Sequence, residues 1–167
     1  MSDFATSYLG RLRASVGSRL LLVPGARVVV ADTQGRVLLE LRADFNLWGL
    51  PGGVPDERED IVACAVRETF EETGLRISDL VPFGFASGPE TEVWTYPNGH
   101  VCQYFSMMFT TQTFSGAPAS DGGENLRVAW FRPDALPDVL PNVALTIDAF
   151  LRWKATGAFQ MLSLIHI

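Results

Sequence analysis

Apolar and polar positions along this chain fall into runs of different period. From Ala26 to Arg42, "ARVVVADTQGRVLLELR", two Val/Leu-rich runs flank a polar stretch, Asp32 to Gly35. This predicts two strands joined at a tight turn, because branched aliphatic side chains suit a pleated surface and Asp, Gln and Gly suit the turn. "DFNLWGLPGGVPDERED" follows, punctuated by Gly49, Pro51, Gly52, Gly53 and Pro55, and predicts a loop. A helix is then expected from about Ile61 to Thr73, with Asp60 as N-cap and Gly74 as the left-handed residue that ends it. At about 100° per residue, Val62, Ala65, Val66, Thr69 and Thr73 share one side, and Glu68, Glu71 and Glu72 share an arc on the far side.

Further on, "EVWTYPNGHVCQYFSMMFTT" predicts a hairpin turning at Pro97-Asn98-Gly99, since Asn-Gly tolerates positive φ. "SGAPASDGGEN" reads as a loop and "LRVAWF" as a short strand. "NVALTIDAFLRWKATG" reads as an amphipathic helix with Val143, Ile147, Phe150 and Leu151 as its apolar positions. No internal repeat is present. Strands and helices mixed in this order predict an α/β domain with helices packed on a mixed β-sheet.

The chain has 167 residues, 47% of them hydrophobic and 19% charged, which favours one domain spanning 1–167 with a proper core. Net charge is −6 and the pI near 4.8, which argues against broad electrostatic binding of duplex nucleic acid. A small phosphorylated ligand stays compatible with that charge if metal ions or local arginines screen it. Cys64 falls in the expected helix and Cys102 in an expected strand; both read as buried thiols in a reducing compartment, and two cysteines with two histidines so placed draw no zinc pattern. "MSDFATSYLGRLRASVG" lacks the apolar run of a signal peptide and no later segment reaches membrane-spanning length, so a cytoplasmic location and no membrane partner are expected. The closing "SLIHI" is assigned no function.

The helical stretch concentrates negative charge. Glu68 lies three and four positions from Glu71 and Glu72, and like-charge neighbours of this kind cost on the order of a few tenths of a kcal/mol each. An acidic helical face is usually just solvated. Here the neighbouring glycine loop lets a backbone approach a ligand closely, and oxygen-only carboxylate clusters suit Mg²⁺ or Mn²⁺, which in turn hold phosphate oxygens. Arg67 is spaced to pair with Glu71.

These residues resemble the Nudix box, G-x5-E-x7-R-E-U-x-E-E-x-G-U, where U is a bulky aliphatic residue. Gly53 opens it, Glu59 follows, then Arg67-Glu68, Glu71-Glu72, Gly74 and Leu75; Thr69 stands where an aliphatic residue is usual, and its place on the packing side makes it matter for stability more than chemistry. The resemblance implies an α/β/α sandwich, with residues 25–132 as the fold core, 1–24 as an N-terminal extension and 142–157 as a C-terminal helix. It also implies a divalent-cation-dependent hydrolase that cleaves a diphosphate in a nucleoside diphosphate linked to another group. Carried over by position, Glu68, Glu71 and Glu72 become Mg²⁺ (or Mn²⁺) ligands with the Gly52 carbonyl as a further one. Arg67 orients the carboxylates, and Glu59 ties the loop to the helix. The general base is a box glutamate or Glu124 in the later loop, with Asp121 a weaker version of the same idea. Homodimers are common in the family, and residues 4–23 are candidates for packing across a subunit.

Substrate recognition calls for a stacking surface and a few hydrogen-bonding groups. Phe45, Trp48, Trp94 and Tyr96 are available for stacking, and Arg42 ends a strand where it can reach a phosphate. His100 reads as a turn residue, and no serine- or cysteine-hydrolase constellation is evident. Pro89, fourteen residues after Leu75, is near the proline that marks ADP-ribose pyrophosphatases, whereas Thr91 stands where dinucleoside polyphosphate hydrolases carry tyrosine. The expectation is therefore a small nucleotide-derivative substrate, with ADP-ribose or a nucleotide sugar ahead. The alternatives are a MutT-like nucleoside triphosphate pyrophosphohydrolase and a non-hydrolytic sensor.

Overall fold

The computed structural model describes residues 4–120, 122–123 and 125–163. A 3₁₀ turn at Phe4–Thr6 leads into α1 (Tyr8–Val16), β1 (Leu21–Val30), β2 (Val37–Arg42), β3 (Trp48–Gly49), β4 (Gly52–Gly53) and α2 (Ile61–Thr73). Then come β5 (Arg76–Ser78), β6 (Val81–Ala86), α3 (Pro89–Glu92), β7 (Val93–Thr95), β8 (Val101–Thr111) and β9 (Thr113–Ser115). β10 (Asn125–Phe131), α4 (Pro141–Thr156) and β11 (Gln160–Leu162) complete the described chain. β1 begins inside the stretch read as an N-terminal extension, and α1 packs on its own chain, where Arg13 donates to the Val101 carbonyl and Tyr8 N–H donates to Asp56 Oδ1 at 3.2 Å.

The mixed sheet runs β11-β6-β8-β1-β4, with β7 also paired to β8. β1 and β8 are parallel over ten residue pairs from Leu21↔Cys102 to Val30↔Thr111, while β6–β8 and β1–β4 are antiparallel. Helices cover both faces. Val29 joins Phe83, Met108 and the α4 residues Val143, Ile147 and Phe150 in one apolar cluster; Val28 and Val30 join Leu38, Phe109 and the α2 residues Cys64 and Ala65 in the other. Successive β1 side chains point to opposite faces. That is why its apolar run is continuous rather than alternating.

β1 and β2 do meet at a turn over Asp32–Gly35, where Gly35 N–H donates to the Asp32 carbonyl at 3.0 Å and Asp32 Oδ1 accepts from Gln34 and Arg36 N–H. They are not a continuous hairpin: Ala31↔Val37 is an isolated bridge, and β2 pairs instead with β10 and β3 in a separate sheet. The reason is that β8 and β4 already occupy both edges of β1. The expected second hairpin is present as β7–β8, with Gly99 N–H donating to the Tyr96 carbonyl at 2.9 Å. The glycine loop holds the two-residue strands β3 and β4, which sequence pattern alone did not reveal.

α2 has the expected bounds. Asp60 Oδ1 accepts from Val62 and Ala63 N–H, and Gly74 sits at φ 72° with its N–H on the Phe70 carbonyl. Its buried side is Cys64, Ala65, Thr69, Glu72 and Thr73; Val62, expected there, is exposed. Thr69 is fully buried, and its hydroxyl donates to the Ala65 carbonyl at 2.7 Å. On α4, Leu151 is exposed, and Thr146 and Ala149 are buried beside Val143, Ile147 and Phe150. Replacing Asp60 with alanine leaves two N–H groups without their cap, so urea unfolding of Asp60→Ala is expected to show a loss of about 1 kcal/mol; an unchanged midpoint would contradict the capping role.

Candidate active site at the acidic helix

Arg67 organises one side of the site. Its Nε and Nη2 donate to the two oxygens of Glu59 at 2.8 Å each, and Nη2 also reaches the Val54 carbonyl at 3.2 Å. Nη1 donates to Glu71 Oε2 at 3.2 Å and lies 3.0 Å from Glu68 Oε1. Glu59 in turn accepts from Asp56 N–H at 2.9 Å. One guanidinium thus fixes the loop to α2 and spaces two carboxylates along the helix. Planar, bidentate recognition is what arginine supplies and lysine does not. The Arg67 hydrogen bonds hold the Glu59 carboxyl below its usual value, against a smaller opposing effect of burial.

Glu72 was expected on an arc with Glu68 and Glu71, on the side of the helix away from its packing residues. Instead it is 6% exposed, because β4 lies over it and Gly52 N–H donates to its Oε2 at 2.8 Å. Two glycines make this approach feasible. Gly52 has φ 155°, and a Cβ there would stand 2.1 Å from the Ala26 carbonyl oxygen; a Cβ on Gly53 would stand 2.3 Å from the Glu68 carboxylate. A further acid that sequence reading missed, Glu40 on β2, is 1% exposed. Asn125 bridges the two, its Nδ2 donating to the Glu72 carbonyl at 2.6 Å and to Glu40 Oε2 at 3.4 Å. Burial, with Glu40 and Glu68 alongside, pushes the Glu72 carboxyl well above the usual range, which the Gly52 N–H and Arg42 only partly oppose.

These acids line one wall of a cleft of about 260 Å³. Arg42, Phe45, Trp94, Tyr96, Tyr104 and Asn142 line other parts of it. Phe45 packs on Trp94 and Tyr96 with ring centres 5.5 and 5.6 Å apart, and the Tyr96 and Tyr104 hydroxyls share a 2.6 Å hydrogen bond. Arg42 is held bidentately by Asp44 at 3.1 and 2.8 Å. Trp48, expected as a substrate contact, is a core residue: β3 pairing with Leu41 turns it onto Phe131, ring centres 4.7 Å apart, and it is 9% exposed. Pro89 and Thr91 sit on α3 and are not among the cleft-lining residues. His100 closes the β7–β8 turn, its N–H on Asn98 Oδ1 at 3.0 Å. Glu124 and Asp121 lie outside the described residues. Cys64 is fully buried, and burial, reinforced by Glu68, pushes its thiol up to about 12.

A NUDIX domain family model matches residues 21–154, from the first residue of β1 to near the end of α4. The chain belongs to the Nudix family. It is similar to the "Putative 8-oxo-dGTP diphosphatase" of Bacillus subtilis (strain 168), 32% identical over 127 residues that span 75% of this chain and 78% of that protein. Its fold is similar to that of the MutT NUDIX hydrolase from Burkholderia pseudomallei, with a TM-score of 0.65 at 22% identity over 77% of this chain and 98% of the other. An ADP-ribose pyrophosphatase from Streptococcus suis is similar at TM-score 0.62 and 18% identity, over 84% and 98% of the two chains. As a Nudix hydrolase the chain acts on diphosphate bonds, and hydrolases of this family generally work with a divalent metal such as Mg²⁺. Among its described residues no helix is long and apolar enough to cross a membrane.

Glu59→Gln removes the charge that Arg67 grips in this Nudix box, and is expected to destabilise the protein by about 1–2 kcal/mol at pH 7. Because the folded Glu59 titrates below its ordinary value of 4.5, its contribution is fully present above that value. The gap between wild type and variant should therefore narrow as pH falls below about 4.5, as read by urea midpoints from pH 7 to pH 3; a gap that widens with acidity contradicts the ion pair. Gly53→Ala should lower kcat by at least about tenfold with little change in melting temperature, because the methyl displaces the Glu68 carboxylate.

Proposed function

We propose that Glu68, Glu71 and Glu72 of this Nudix hydrolase hold a divalent cation, Mg²⁺ or Mn²⁺, and that its substrate is a purine nucleoside triphosphate, hydrolysed to the monophosphate and pyrophosphate. Among the described residues no three His, Cys, Asp or Glu side chains already enclose a metal position, since Arg67 engages Glu68 and Glu71 and Gly52 engages Glu72. The donor set fits nonetheless: it is all oxygen, as hard cations prefer, and it includes a buried carboxylate with two further acids beside it. When bound, the cation neutralises phosphate charge and lowers the pKa of a water it carries.

The chain's own groups account for the rest. Arg67 keeps Glu68 and Glu71 apart and oriented. Arg42, its fork fixed by Asp44, is placed for a phosphate oxygen. Glu124 stays the proposed general base beside the box glutamates, on the support that the adjacent Asn125 is tied to the backbone of Glu72.

The observation that favours a nucleoside is Asn142 at the start of α4. It is 7% exposed, lines the cleft, and its side-chain amide has no hydrogen-bond partner among the described residues. The amide opens onto the cleft, where water or a ligand can pair with it. A base edge offering one donor and one acceptor is complementary to both its ends. The Phe45–Trp94–Tyr96 cluster supplies a face for stacking. Adenine (N6–H with N7) and 8-oxoguanine (N7–H with O6) offer such edges, while guanine offers two acceptors there. The Bacillus subtilis relative is named for 8-oxo-dGTP. Pro89 is the residue that favours ADP-ribose, and it does not line the cleft.

Mass-spectrometric identification of products from nucleoside triphosphates, 8-oxo-dGTP, ADP-ribose, nucleotide sugars and dinucleoside polyphosphates tests this reading. Monophosphate plus pyrophosphate from a triphosphate is expected, with kcat lowered at least about 100-fold in Glu68→Gln and Glu72→Gln and activity abolished by EDTA. AMP plus ribose phosphate from ADP-ribose alone would replace the substrate assignment. No cleavage with either Mg²⁺ or Mn²⁺ would leave the sensor reading in its place.

A further inference from the structure

The cleft floor carries a charged pair that neither the acidic helix nor the metal chemistry uses. Arg27, in the middle of the apolar run of β1, is 8% exposed, and Glu92 at the end of α3 is 1% exposed. Arg27 Nη1 donates to Glu92 Oε1 at 3.2 Å and to Thr146 Oγ1 at 3.0 Å, and Nη2 donates to Glu92 Oε2 at 2.8 Å. Removing two charges from water costs several kcal/mol per ion, and well-packed apolar residues in place of such a pair are often neutral or stabilising. Stability alone therefore does not account for placing this pair beneath a ligand cleft.

Three features say what it does there. A guanidinium carries five N–H donors, and the contacts to Glu92 and Thr146 use three of them. The remaining two, on Nε and Nη2, have no partner among the described residues, while Arg27 itself lines the cleft. Second, Glu92 neutralises the charge, so what remains is a rigid, neutral donor surface. That suits the carbonyl edge of a base better than a phosphate, which is drawn to net positive charge. Third, Thr146 lies one turn beyond Asn142 on α4, and its hydroxyl donates to the Asn142 carbonyl at 2.7 Å. The residue that steadies Arg27 is thus bonded to the residue that presents the free amide.

We infer that Arg27, positioned by Glu92 and Thr146, is a specificity-determining residue that selects a 6-oxopurine, guanine or 8-oxoguanine, over a 6-aminopurine. This rests on the nucleotide reading of the same cleft and goes beyond it by naming which base edge is taken. Adenine presents an N6–H₂ donor where guanine and 8-oxoguanine present the O6 acceptor. Donor facing donor forfeits the hydrogen bonds that a 6-oxopurine makes to Arg27, so adenine is disfavoured by lost bonds rather than by size.

The test compares kcat/KM for dGTP, 8-oxo-dGTP and dATP with Mg²⁺ in the wild type and in Arg27→Met combined with Glu92→Gln. That double variant removes both charges together and leaves neither ion buried alone. The wild type is expected to favour the better 6-oxopurine over dATP by at least about tenfold, and the double variant to bring that ratio close to one, with the change mainly in KM. A ratio unaltered by the double variant, or a wild type that prefers dATP, overturns the inference. Arg27→Lys, which keeps the charge with a different donor geometry, should also narrow the ratio and serves if the double variant does not fold. Equilibrium binding of dGMP, 8-oxo-dGMP and dAMP separates this inference from the hydrolysis reading. A 6-oxopurine preference that disappears in the variant upholds it even if no triphosphate is cleaved, and equal or absent binding by the wild type overturns it.

Discussion

The structure depends on how closely two glycines let one short strand approach an acidic helix. β4 is only Gly52 and Gly53, and it lies between the backbone of β1 and the carboxylates of Glu68 and Glu72; a methyl on Gly52 would strike the β1 backbone and one on Gly53 would displace the Glu68 carboxylate. That contact takes Glu72 out of water, directs the Gly52 N–H onto it, and aligns the loop that Arg67 and Glu59 then clamp. Buried acids of like charge are unfavourable by themselves. A fold that assembles Glu40, Glu68 and Glu72 around one glycine strand fits the binding of a hard cation.

The two helical layers divide the work. α2, on one face of the sheet, supplies the carboxylates and Arg67. On the other face, α4 and the short α3 supply Asn142, Thr146 and Glu92, which surround Arg27 and the apolar end of the cleft. β1 joins the halves, because Arg27 pairs in register with Gly52 on β4 while its side chain meets α3 and α4. Arg27, inferred above to read a base, and the loop that holds the acids therefore hang from one rigid strand. Precise relative placement of reacting and recognition groups is what such a scaffold supplies.

The acidic helix was legible in the chain almost to the residue. Its cap, its left-handed end and the spacing of Glu59, Arg67, Glu68, Glu71 and Glu72 are local features, and local geometry follows from local sequence. What stayed hidden was set by long-range packing. Periodicity placed Glu72 on the side away from the packing residues, and its burial comes from β4 folding over it. Trp48 read as a stacking residue because its partner Phe131 lies 83 positions away, 131 − 48, across a strand pairing. β1 and β2 read as a plain hairpin because the claim of β8 on β1 comes from far along the chain. One signal was present and passed over: Arg27 and Glu40 each interrupt an otherwise apolar strand, and a charge placed there has to be partnered or used.

The central claim is that the buried acids around Gly52 form a cation site. Calorimetric titration of metal-free protein with Mn²⁺, for the wild type and for Glu72→Gln, tests it without reference to any substrate. The account predicts saturable binding by the wild type, weakened at least about tenfold in the variant. Equal affinity in the two proteins, or no binding to the wild type, would contradict it.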